Sequence, residues 1–130
     1  MSIAEHSTHL IDERIGEIAK RYGNAFEDFD VINECDLVFV TGTYLLNRFD
    51  GEETAEFLKK CKELGKLTFL DVCWDASGRW GELLNKVMPY IDFFMPSIDE
   101  AKCIANKENP DDIADVFIAN GVTIHLVTFR

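Results

Sequence analysis

Basic residues are scarce in this chain: 13 Lys plus Arg stand against 24 Asp plus Glu, a formal net charge of −11 on 130 residues. So acidic a surface repels phosphate backbones and anionic lipid headgroups, which argues against a nucleic-acid or membrane partner. No apolar run approaches the ~20 residues of a bilayer span, and the opening Met1-Ser-Ile-Ala-Glu-His-Ser-Thr-His9 is not a secretory signal. Only four cysteines occur (Cys35, Cys61, Cys73 and Cys103), none in the C-x-x-C spacing of a zinc knuckle. Without an export signal, reduced thiols and a cytoplasmic location are expected. Prolines number three and glycines eight, with no low-complexity stretch or linker. What is abundant is apolar: 47% of the residues are hydrophobic, enough for an ordinary globular core. A chain of this length buries roughly two thirds of its unfolded surface as a single domain.

The apolar residues fall in short runs separated by helical periods. Asp36-Leu-Val-Phe-Val-Thr41, ending at Gly42, reads as a strand buried on both faces. Residues 66–71, 92–96 and 123–128 form three more such runs, too short for helices and rich in β-branched or aromatic residues. Between the first two, Asp50 and Glu53 have the spacing of a capping box, Phe57, Leu58, Cys61 and Leu64 share one helix face, and Gly65 stops it. Trp80 to about Val87 predicts a weaker helix. Ser97 with Glu100 is an S-x-x-E capping box, and Asn109-Pro110 opens a last helix that stops at Asn120-Gly121. The first 35 residues differ. Ile11, Ile15, Ile18 and Tyr22 stand at helical spacing up to Gly23-Asn24, with a short turn at 29–32.

These runs predict one α/β domain, 1–130, made of a helical N-terminal segment (1–35) and a βαβ core (36–130). Buried strands linked by helices imply a mostly parallel sheet with helices on both faces. Ligands of such sheets sit beyond the carboxyl ends of the strands. That places four segments at the functional rim: Thr41-Gly-Thr43, Asp71 to Trp80, Pro96 to Glu100, and Phe129-Arg130.

Asp71, Asp75 and Arg79, just past a strand end, have the chemistry to hold a metal or a phosphate. The plainer alternative is that Asp71 caps the strand-to-loop turn, Asp75 starts a turn and Trp80 packs on the sheet. Ser97 and Glu100 serve first as a helix cap, although a helix start there also aims amides at an anion. His125, with apolar neighbours, reads as a core histidine. Cys73 has no histidine placed to activate it.

The run from Gly23 to Arg130 resembles the middle of a ribokinase-like (pfkB) carbohydrate kinase. The similar pieces, in order, are Tyr22-Gly-Asn-Ala-Phe-Glu-Asp-Phe-Asp30, Asp36-Leu-Val-Phe-Val-Thr-Gly42 and Leu70-Asp-Val-Cys-Trp-Asp-Ala-Ser-Gly-Arg-Trp80. Tyr90-Ile-Asp-Phe-Phe-Met-Pro96 leads into Ser97-Ile-Asp-Glu100, and 113–128 follows. The resemblance implies a three-layer Rossmann-like core, here incomplete, and ATP-dependent phosphoryl transfer to a sugar hydroxyl with magnesium. It implies Thr43 near the sugar, Asp71, Arg79 and Ser97 near the phosphates, and Glu100 as the magnesium-holding glutamate of an N-x-x-E element. The departures are specific. Ser97 replaces the asparagine of that element, and Arg130 stands where relatives have the glycine of T-x-G. No G-x-G-D string, which carries the family's catalytic aspartate, occurs in these residues. The expectation is therefore a truncated core, inactive on its own. An alternative is a non-catalytic interaction module in which stripped sheet edges favour a homo-oligomer. A receiver-like domain phosphorylated on Asp71 is a weaker alternative, since no acidic pair follows an early strand.

Overall fold

Strand β1, Leu37–Thr43, pairs in parallel with β2, Leu67–Val72, one residue opposite the next from Leu37–Leu67 to Val40–Leu70. The computed structural model describes residues 32–46 and 48–128. The helix expected over 11–22, most of the turn at 29–32, and the rim segment Phe129-Arg130 lie outside them. At Gly42 (φ 89°) the register shifts and Thr43 pairs with Val72, so β1 runs past the expected end of the strand. Glycine accepts this positive φ without the Cβ clash of other residues.

From β1 the chain passes through helix α1 (Glu52–Glu63), β2, the short helix α2 (Trp80–Leu84), a 3-10 turn (Met88–Tyr90) and β3 (Phe93–Phe94). Helices α3 (Ile98–Ala105) and α4 (Pro110–Ala119) precede β4 (Ile124–His125). The sheet is parallel throughout, in the order β1-β2-β3-β4. β3 and β4 are two residues long, shorter than the sequence runs. Beyond them the hydrogen bonding continues discontinuously, with Leu126 N donating to the Phe94 carbonyl at 2.8 Å and a single bridge joining Ser97 to Thr128.

Two of the three expected caps form. Ser97 and Glu100 make the reciprocal capping box, and the Asn109 side chain accepts from the Asp111 amide with Pro110 at the first helical position. Asp50 does not cap α1. Gly51 takes the N-cap place at φ 82°, and Asp50 Oδ2 instead accepts from the Leu46 amide at 3.1 Å, closing the loop before the helix.

The strands are not buried on both faces. Burial alternates along β1, with Val38 and Val40 inside while Leu37 and Phe39 are half exposed. The inward residues join Leu58 and Cys61 of α1, Leu84 of α2, Ile104 of α3 and Phe117 of α4 in one apolar core. Strands that follow one another in a single direction, joined by right-handed crossovers, put every connecting helix on the same face. The described helices accordingly form one layer, and no described helix covers the second face.

On the helix-covered side, Asp92 anchors α1 to the sheet. Lys62 Nζ reaches both carboxylate oxygens, at 2.6 and 2.7 Å, and the Thr68 amide donates to Oδ2 at 2.9 Å. Burial raises the Asp92 carboxyl, but Lys62 and the Thr68 donors outweigh it and hold the group below the usual carboxylate range. A depressed folded-state pKa gives stability that is present above the unfolded value near 3.8 and lost as pH falls through the folded one. Lys62→Met should cost about 1–2 kcal/mol at pH 7, because it leaves a mostly buried carboxylate without its cation. That cost should shrink in urea unfolding as pH falls below 3.8 and through the folded value, where Asp92 becomes neutral in both states.

Candidate functional site

Three buried side-chain oxygens have no hydrogen-bond partner among the described residues: Thr43 Oγ1, Asp50 Oδ1 and Thr128 Oγ1. All three lie on the carboxyl side of the sheet, at the end of β1, in the loop that follows it, and just past β4. An unmet buried polar atom costs on the order of 1–3 kcal/mol. Its concentration at one end of a parallel sheet marks the place where a ligand or water would complete the bonding.

The rim is built from two loops locked together. After the bulge at Gly42 the chain turns through Tyr44, a non-glycine residue at φ 78°. The Tyr44 hydroxyl donates to the Trp80 carbonyl at 2.8 Å, and the two rings meet edge to face at 5.4 Å. Burial, with Asp75 and Asp50 nearby, pushes the Tyr44 hydroxyl far above its ordinary pKa, so it is a permanent donor. In the loop after β2, Asp75 accepts from the Ser77 amide (2.9 Å), the Ser77 hydroxyl and the Trp80 amide (2.8 Å). Burial raises the Asp75 carboxyl, and these donors together bring it below its usual range. Ser77 Oγ in turn accepts from Arg79 Nε at 2.7 Å, which orients the guanidinium. Trp74, more than half exposed, stacks edge-on against Trp80 at 4.8 Å. Both tryptophans of the chain thus stand on this rim.

Each residue singled out in the sequence has a definite place. Thr43 ends β1, is 1% exposed, and lies level with Val72 on the helix-covered side. Asp71 lies one residue earlier on β2, half-buried, accepting from Thr41 Oγ1 at 3.4 Å. Ser97 bridges to Thr128 and accepts from the Glu100 amide at 3.3 Å, while Glu100 Oε2 accepts from the Ser97 amide at 2.8 Å. Among the described residues, Asp71, Arg79 and Glu100 are held by their own neighbours and not by one another. Their fields overlap nonetheless. Burial pushes the Cys73 thiol up, and Asp71, Glu100 and Asp50 add to the effect. Arg79 and Glu100 act together on Tyr44. Asp71, Glu100 and Asp50 thus act electrostatically on Cys73, and Arg79 and Glu100 act on Tyr44. With its raised pKa, Cys73 is a poor nucleophile. His125 is half-buried against the Phe117 ring at 5.8 Å, as expected of a core histidine.

Sequence reasoning missed Asp50, Tyr44 and Thr128. Asp50 stands at capping-box spacing from Glu53, and the glycine directly after it signals that the helix starts one residue later. Burial pushes the Asp50 carboxyl up to about 6, with the Leu46 amide and Arg79 opposing. Beside it lies an open cavity of about 310 Å³ whose charged lining is Asp50, Glu52, Glu53, Glu82, Arg79 and Lys86. Four carboxylates against two cations suit a hydroxyl-rich or cationic ligand better than a bare phosphate. His/Cys/Asp/Glu clusters able to chelate a metal with three side chains are absent among the described residues. Magnesium keeps most of its water and needs only one or two carboxylates; Asp71 and the Glu100 oxygen not used in the cap are the carboxylates that could hold it.

An all-parallel sheet with a helical layer and a polar rim at its strand ends defines an open α/β protein. No protein-family model matches the chain. Among solved structures it is similar to a PfkB protein from Polaromonas sp. JS666, with TM-score 0.65 and 14% identity over 78% of this chain and 37% of that one. It is similar to the protein Sa239 at TM-score 0.61 and 22% identity, over 82% of this chain and 33% of that one. A third neighbour is Arabidopsis thaliana ribokinase, solved with ribose and ATP, at TM-score 0.54 and 18% identity over 78% and 31% of the two chains. The fold is ribokinase-like, and the chain spans about a third of the length of the structures it matches.

Proposed function

We propose that this chain carries the central rim of an ATP-dependent sugar kinase and acts on a sugar hydroxyl and a nucleotide phosphate when the remaining parts of such a site are present. The observation that supports this most directly is the set of unpartnered buried oxygens on Thr43, Asp50 and Thr128 at the carboxyl end of the sheet. Thr43 and Asp50 would bond sugar hydroxyls, which both donate and accept. Arg79, already oriented by Ser77, would face phosphate charge. The α3 amides behind Ser97 would contribute positive dipole there. Asp71 and Glu100 would hold magnesium through its water. When bound, that ion would neutralise charge developing on the transferred phosphoryl group.

No residue described here is placed as the base that takes the hydroxyl proton, and the sequence holds no G-x-G-D string. These 130 residues alone should therefore bind without turnover. A cytoplasmic site of action is part of this reading. No described helix is long and apolar enough to cross a membrane.

Because Trp74 and Trp80 both sit on the rim, intrinsic fluorescence reads the site directly. Titration with ATP and magnesium, and with a panel of pentoses and hexoses, should give a saturable change that Asp71→Ala or Glu100→Gln weakens about tenfold. Absence of any change at millimolar ligand would overturn the binding reading. Phosphoryl transfer that vanishes in Asp71→Ala would overturn the expectation of inactivity.

A further inference from the structure

The cavity beside Asp50 has a charge balance unsuited to phosphate. It is lined by the start of α1 and by α2, and its volume of about 310 Å³ lies at the small end of ligand cavities, ~300–1,000 Å³. Its charges do not cancel. Lys86 is 3.5 Å from Glu52, and the two offset each other at the surface. Glu52 and Glu53 stand in the first turn of α1 and answer its positive dipole end. Arg79 is the one other cation of the lining, and its Nε donates to the Ser77 hydroxyl. Against it stand Asp50, Glu53 and Glu82. One of these carboxylates is unlike the others. Asp50 is 7% exposed, whereas Glu53 and Glu82 lie on the surface. Its Oδ2 accepts from the Leu46 amide, and its Oδ1 has no partner among the described residues. A buried carboxylate in that state lacks both a donor and a counter-charge. The rise of its pKa to about 6 on burial has the same cause.

We infer that this cavity receives the protonated amine of an amino sugar, with Asp50 as its counter-carboxylate and Glu53 and Glu82 as further acceptors. The inference rests on the sugar-kinase reading and names the substrate class within it, Asp50 taking an ammonium where a neutral sugar would offer a hydroxyl. An ammonium supplies the missing donor and the missing charge in one charge-assisted bond. A hydroxyl supplies the donor alone. A sugar acid supplies neither and adds a further anion to three carboxylates, so the lining selects against it. A bare divalent cation is the poorer occupant, since no group of three His, Cys, Asp or Glu side chains able to hold one is present among the described residues. Gly51 and Leu83 complete the lining with an apolar part, against which the C–H face of a sugar ring can lie.

The test is calorimetric titration of the full chain at pH 7.0 with glucosamine, glucose, gluconate and ethylamine. Glucosamine should bind roughly tenfold or more tightly than glucose, and gluconate most weakly. Asp50→Asn keeps the acceptor for the Leu46 amide and should cut the preference for glucosamine over glucose to about threefold or less. Glu82→Gln, at an exposed position that the core does not use, should cut it by about twofold. Glu108→Gln removes the same charge from an exposed side chain outside the cavity and should leave the preference as it is. Glucose or gluconate bound as tightly as glucosamine would overturn the inference and leave the sugar-kinase reading standing. A preference that survives Asp50→Asn in full would also overturn it, as would ethylamine bound as tightly as glucosamine. Binding of none of the sugars at millimolar concentration would overturn the reading and the inference together.

Discussion

Asp75→Ala should destabilise the protein by about 2–4 kcal/mol and shift tryptophan emission to the red, the largest effect expected of any single rim substitution. The residue is 3% exposed, and its carboxylate accepts from two backbone amides and a hydroxyl. Alanine removes the acceptor of the Ser77 and Trp80 amides, the latter half-buried, and releases the Ser77 hydroxyl that orients Arg79. Trp80 holds a positive φ of 33°, a conformation that persists only while its surroundings enforce it. Loss of the Asp75 bond should let it relax, and Trp74, in contact with it, should follow. Since the folded Asp75 pKa lies below its ordinary value, its contribution is present above pH ~4 and lost as pH falls through the folded value. The difference between parent and Asp75→Ala in urea unfolding should therefore shrink as pH falls below ~4. Asp75→Asn, which keeps one acceptor oxygen, should cost less than half as much. A cost below 0.5 kcal/mol for Asp75→Ala would mean that the loop is held by other contacts.

Asp50→Asn should act in the opposite direction and stabilise the protein by about 1–2 kcal/mol at pH 7.5. Asp50 is 7% exposed, uses one oxygen on the Leu46 amide, and leaves the other unmatched. Burial raises its folded pKa to about 6 from 3.8. The folded state then binds more protons than the unfolded state between those values, so stability falls as pH rises through this window and levels off above it. Asparagine keeps the acceptor for Leu46 and removes the charge. The gain should thus be full above pH 6, small at pH 4, and absent below, as measured by unfolding across that range. On the proposed reading, ligand hydroxyls would supply the missing donors, so the same substitution should weaken sugar binding while strengthening the fold. An Asp50→Asn protein no more stable than its parent at pH 7.5 would show the carboxylate to be fully solvated there.

The parallel α/β core was legible because its signals are local. Alternation between short apolar runs and helical periods does not depend on what lies across the sheet, and the caps at Ser97 and Asn109 use only neighbours three residues away or fewer. Asp50 shows where such reading stops: the capping pattern is present, but Gly51 at positive φ moves the helix start and sends the carboxylate back to Leu46. β1 shows it again. Val-Phe-Val looks the same whether one face or two are covered, and only the progressive strand order puts all the described helices on one side.

What the sequence determined by itself is the order of strands and helices, the acidic charge, and the candidacy of Asp71, Arg79 and Glu100, which follows from residue type and near-neighbour spacing; Thr43 and Ser97 became candidates through the family resemblance. Only the tertiary structure decided that Tyr44 ties the loop after β1 to Trp80, that Lys62 pairs with Asp92, and that an aromatic row of Phe39, Phe69 and Phe93 lies open behind the sheet among the described residues. Those facts depend on contacts between residues some thirty positions apart, which strand pairing creates and no local pattern encodes.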